Sequence, residues 1–131
     1  MAVVAANRTV GDPAIQVAGS VILSDAQTGD GDSDNVALRG LRTTGGAVVI
    51  TSTIGATPTV TVNIQGSMDG VAYYNVPYAL VATPRTFVLS AITITTAVTT
   101  TYLLQELVPY QYLKLVYTSN TNVTLTATAY L

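Results

Sequence analysis

Two stretches of the chain alternate apolar and polar side chains with a period of two. In TVTVNIQ, residues 59–65, Val60, Val62 and Ile64 point one way while Thr61 and Asn63 point the other. In NVTLTATAYL, residues 122–131, Val123, Leu125, Ala127, Ala129 and Leu131 share a face opposite Thr124, Thr126 and Thr128. This alternation predicts antiparallel strands buried on one face. Further strands are expected within residues 14–23, 35–41, 47–54, 71–78, 86–94, 99–107 and 111–119, for a set of about eight. Thr and Val dominate, and both are β-branched residues that favour strands. No sustained pattern has the helical period.

Turn signals separate these stretches: Thr43 to Gly46, Gly55 to Pro58, Gly66 to Gly70, Thr83-Pro84, Val108-Pro109 and Ser119 to Asn122. Residues 59–65 and 71–78, joined through GSMDG, predict a hairpin. Residues 111–119 and 123–131, joined through Ser119 to Asn122, predict a second, terminal hairpin. Short strands at regular spacing without helices predict an all-β antiparallel sandwich. There is no internal repeat and no linker, so residues 1–131 are expected to form one domain, with residues 1–10 as an extended arm.

Composition narrows the chemistry. The chain has no Cys and no His, which removes disulfides, thiolate chemistry, the commonest general base and the commonest transition-metal ligand. Glu106 is the single glutamate and Lys114 the single lysine, so no catalytic dyad or triad presents itself, and the expectation is a protein that is not an enzyme. Only 9% of residues are charged, against about 25% in ordinary soluble domains. The cations Arg8, Arg39, Arg42, Arg85 and Lys114 are scattered and form no basic stripe, so nucleic acid is not an expected partner. No apolar run approaches the ~18 residues that span a bilayer, and no membrane partner is expected. A chain that is 49% apolar and this poor in charge has surface to hide, most simply against copies of itself.

Three stretches invite a site. TGDGDSDN, residues 28–35, sets Asp30, Asp32 and Asp34 at alternate positions, as in the first half of a calcium loop. The match then fails, because Asn35 stands where the loop needs Gly and Leu41 where it needs a bidentate Glu. A solvated loop is the preferred reading, with calcium the one cofactor to test. In GSMDG, Asp69 is expected to bond its own backbone as a turn residue. Among the eight tyrosines, Tyr110, Tyr112 and Lys114 are expected on one face, opposite Leu113, Leu115 and Tyr117. Tyr73, Tyr74 and Tyr78 suit either a sugar platform or a protein interface. With Trp absent, the interface is preferred, and it takes in Tyr110, Tyr112, Arg39 and Arg42.

The order SVILSDAQ (20–27), VTVNIQGSMDGVAYYNVP (60–77) and VPYQYLKLVYTSNTNVTLTATAYL (108–131) resembles the small jelly-roll cement or decoration proteins of tailed-phage capsids. In those proteins a strand of the kind Tyr–Leu–basic–Leu–x–Tyr–Thr leads into a last Thr/Val strand, and Tyr112 to Thr118 match it. The resemblance implies a jelly roll without catalytic residues. It implies a homotrimer on the outer surface of the virion, bound to the major capsid protein and bracing the shell. The alternative is a carbohydrate-binding or host-adsorption accessory module of a head fibre or tail.

Overall fold

A computed structural model describes residues 20–37, 46–105 and 110–130. The expected N-terminal arm, Arg8, Arg39, Arg42 and Glu106 lie outside the described residues. The described residues form an all-β structure: β1 (Ser20–Gln27), β2 (Gly31–Asp32), β3 (Val36–Ala37), β4 (Gly46–Ser67), β5 (Tyr73–Asn75), β6 (Tyr78–Leu80), β7 (Ile92–Ile94), β8 (Thr99–Leu104) and β9 (Tyr112–Tyr130). Every pairing is antiparallel, in the order β1-β9-β4-β8-β6, with β2 and β3 also on β9 and β5 and β7 also on β4.

The ribbon of β4 and β9 is the spine. It pairs Ala47–Ile54 with Tyr130–Val123, and Thr59–Ser67 with Thr121–Tyr112. Two sequence expectations are corrected here. Residues Gly55 to Pro58 do not separate two strands, and Ser119 to Asn122 do not close a terminal hairpin. Both clusters lie within continuous strands and face each other across the ribbon. Between the Ile54–Val123 and Thr59–Thr121 pairs, residues 55–58 of β4 pass a single β9 residue, Asn122. Such a mismatch is a large bulge, and bulges bend strands. Thr57, Ser119 and Asn122 take left-handed backbone conformations at this crease, with φ of 45°, 53° and 55°. The turn-forming residues thus absorb a bend rather than a reversal. The hairpin through residues 66–70 does form: Gln65, Gly66 and Ser67 pair with Asn75, Tyr74 and Tyr73.

The crease lets both halves of the ribbon feed one core. Val48, Ile50, Val123, Leu125, Ala127 and Ala129 come from one half, and Val60, Val62, Ile64, Leu113, Leu115 and Tyr117 from the other. All are essentially fully buried, as their period-two pattern predicts. The halves also touch through polar groups. The buried Ser24 hydroxyl of β1 lies 2.7 Å from the Tyr117 hydroxyl, and the Asp34 amide donates to Leu23 O at 2.9 Å. Ser52, also buried, ties the turn before β8 to β4. Its hydroxyl accepts from the Val98 amide at 3.1 Å and donates to Thr96 O at 2.7 Å.

Candidate functional site

The Asp-rich stretch is an edge of the sheet. Gly31 and Asp32 pair with Tyr117 and Val116, and Val36 and Ala37 pair with Leu113 and Tyr112. Between them Ser33 turns inward and is buried. Its amide donates to Leu115 O at 2.8 Å, and its hydroxyl accepts from the Leu115 amide at 2.8 Å, so a side chain completes the ladder where the backbone leaves it. The stretch is therefore an interrupted edge strand and not a free loop.

Its carboxylates part company. Asp30 accepts from the Asn120 amide at 2.7 Å and braces the crease of β9. Asp32 pairs with Lys114 at 2.7 Å. Asp34 contributes its amide to Leu23 and leaves its carboxylate exposed. No group of three carboxylates converges as a metal site among the described residues. Charges along an edge strand discourage pairing with another chain, which is a sufficient physical role for them.

Lys114 is the centre of the polar outer face. Its ammonium lies 4.0 Å from the centre of the Tyr73 ring while holding Asp32. The Tyr73 hydroxyl accepts from Asn35 Nδ2 at 2.6 Å, and Gln65 beside Lys114 donates to Asn75 at 3.1 Å. Sequence reasoning placed Lys114 on this face and missed its partners, which come from β2 and β5 and share no local pattern with it. One face of Tyr73 is thus already occupied by a cation. Tyr78 packs edge-on against Tyr102 at 5.4 Å, and Tyr74 is about half exposed. The three tyrosines do not present one stacking platform.

The expected common face of Tyr110, Tyr112 and Lys114 is corrected at Tyr110. That residue precedes β9, so strand alternation does not govern it, and it packs against the core. A Cβ on Gly66 would lie 2.8 Å from Tyr110 Cγ, so the ring lies on bare backbone that only glycine leaves open. Tyr112 covers Gly70, whose φ of 80° belongs to the turn before β5. In that turn Asp69 accepts from the Val71 and Ala72 amides at 2.8 and 3.0 Å. Those donors, with the Ser67 hydroxyl, hold its carboxyl below the usual carboxylate range. Asp69 is the backbone-binding turn residue expected from GSMDG.

A cleft of about 350 Å³ opens at the crease, lined by Thr28, Thr53, Ile54, Gly55, Asn122, Val123 and Thr124. It contains hydroxyl and amide groups and no ionisable side chain. Large apolar side chains also stand exposed on the surface. Val21, Ile22, Val71, Leu80, Val81 and Leu89 are among the exposed large hydrophobic residues.

These features define an all-β antiparallel scaffold. No protein-family model matches the chain, and no curated protein matches it. Among solved structures, the fold is similar to the crystal structure of the SPBc2 prophage-derived protein YomS, with a TM-score of 0.56 and 9% identity over 85% of this chain and 90% of that one.

Proposed function

We propose that the protein is a non-enzymatic virion structural protein of a tailed phage. In this reading it is a jelly-roll cement or decoration protein that binds the outer capsid surface as a homotrimer and stabilises the coat subunits. The observation that carries the reading is the shared fold with a prophage-derived protein across nearly the whole of both chains. Surface character supports it: large apolar side chains stand exposed on a chain with 9% charge, as a protein that works in an assembly requires. Three linked copies would repeat one modest contact with the shell and gain by avidity. The polar face around Lys114, Tyr73 and Asp32 is a surface such a contact could use, because its charges are already neutralised and cost less to desolvate.

The test mixes the purified protein with heads assembled from the major capsid protein of the same genome. Co-sedimentation at a fixed ratio, with heads more resistant to heat, is the expected result. Protein left in the supernatant at every ratio would overturn the reading. The same sample on a glycan array tests the carbohydrate alternative, which predicts binding that weakens when Tyr74 is replaced by Ala.

A further inference from the structure

The registers of four pairings draw one row straight across the sheet: Val21 on β1, Ala129 on β9, Val48 on β4, Tyr102 on β8 and Leu80 on β6. The three middle residues are buried and belong to the core. The two end residues are not covered: Val21 is 40% and Leu80 44% exposed. The core face therefore opens to solvent at both ends of the same row. The ends lie four inter-strand steps apart, about 19 Å, so one copy cannot close its own two openings.

The β6 opening is extended by a further exposed apolar residue, Val81 in the turn after Leu80, whereas Ile22 pairs with Thr128 and stands exposed on the other face of β1. Exposed charges of opposite sign lie on the two sides: carboxylates on the β1 side, where Asp34 also bonds Leu23 through its amide, and a cation on the β6 side. Asp25 lies on β1, while Arg85 lies in the turns after β6 that are closed by the Thr83 amide on Leu80 O and the Thr86 amide on Thr83 O. Among the described residues the ion pair is Lys114–Asp32, and neither Asp25 nor Arg85 has a partner.

We propose that these two ends bind each other in neighbouring copies of the chain, the β6 turn of one on the β1 edge of the next. Charge complementarity favours a second copy over an unrelated partner, since one surface carries the counter-charge and the apolar match of the other. The bond is made by side chains. β1 has register breaks between Ile22 and Ser24 and between Ser24 and Gln27, and such bulges with an edge carboxylate oppose a continuous strand-to-strand ladder. Because two different surfaces meet, the contact is head-to-tail, and it closes into a ring if the rotation per copy allows. The inference deepens the homo-oligomer part of the proposed function and rests on it.

Analytical ultracentrifugation of the full chain tests it with Val21→Asp, which spoils only the β1 end, and Val81→Asp, which spoils only the β6 end. The wild type is expected to be an oligomer and each variant a monomer. Mixing the two variants is expected to restore one intact contact per pair and yield a dimer that grows no further, a result that misfolded variants could not produce. Arg85→Asp is expected to weaken association by about ten-fold or more, and Asp25→Arg in the same chain to recover it. A wild-type oligomer whose mass survives both apolar substitutions, or variants that stay monomeric on mixing, would overturn this interface and leave the oligomer standing. A wild-type monomer at the highest soluble concentration would remove the oligomer itself.

Discussion

The hydroxyl pair of Ser24 and Tyr117 is the sharpest test of how the two halves of the creased ribbon are joined. Tyr117 is fully buried, Ser24 is 6% exposed, and their oxygens lie 2.7 Å apart. Tyr117→Phe leaves the Ser24 hydroxyl buried beside a carbon, and Ser24→Ala leaves the Tyr117 hydroxyl in the same position. An orphaned buried hydroxyl costs about 1–3 kcal/mol. For a domain of this size each kcal/mol shifts Tm by about 4 °C, so each single variant is expected to melt about 4–12 °C lower. The double variant orphans nothing and loses only one net hydrogen bond, worth about 1 kcal/mol. Its loss should therefore be smaller than the sum of the two singles by about 1–5 kcal/mol, which a double-mutant cycle by circular dichroism resolves. Strictly additive losses would mean that the two hydroxyls do not meet and that the halves are packed differently.

Alkaline pH probes the same core. Burial raises the Tyr117 and Tyr102 hydroxyls above their ordinary value near 10. The unfolded chain ionises first, so stability is flat below pH 10 and falls above it, by about 1.4 kcal/mol per pH unit for each group while it stays protonated in the fold. Urea titrations from pH 8 to 11 read this slope, and Tyr117→Phe should remove one group's share. Gly66→Ala is expected to cost about 1–3 kcal/mol by pressing a methyl into the Tyr110 ring, and almost nothing in a Tyr110→Ala background. Thermal melts of the four proteins decide it, and an equal cost in both backgrounds would sink the reasoning. Melts in calcium and in EDTA are expected to coincide, because Asp30 and Asp32 already have different partners; a rise of several degrees in calcium would make the stretch a metal site after all.

The strands were readable in the sequence where burial on one face imposes a strict period. Val60, Val62 and Ile64, and Val123, Leu125, Ala127 and Ala129, face the core as their alternation requires. Partnership was not readable. A Gly-Ala-Thr-Pro cluster has the same local chemistry whether the chain reverses or only bends, and the difference lies in what runs alongside it. Here each cluster has the other cluster as its neighbour, so two apparent turns combine into one crease. The same holds at the candidate surface. Asp32 and Lys114 are 82 residues apart, and the contact exists because β2 lies on β9. Ser33 looks like loop filler within TGDGDSDN, yet it is buried as a rung of that edge.

The crease also bears on what the molecule can do. A ribbon that bends once covers the core from two sides and leaves the row through Val48 open at β1 and β6, where strands end and nothing in the described fold turns back over them. The exposed charges near these openings are of opposite sign, Asp25 and Asp34 on the β1 side and Arg85 on the β6 side. Among the described residues, several polar groups join strands or brace bends: Ser24, Ser33 and Ser52 inside, Asp30 and Asp69 at bends. Large apolar side chains stay exposed at the two edges, Val21 on β1 and Leu80 on β6. Under the proposed head-to-tail contact, the folded state is stabilised by neighbouring copies, so stability should rise with the protein's own concentration. Tm is therefore expected to increase by several degrees between dilute and concentrated wild-type samples and to stay constant for Val81→Asp, and a concentration-independent Tm in both would show that the edges are content in water.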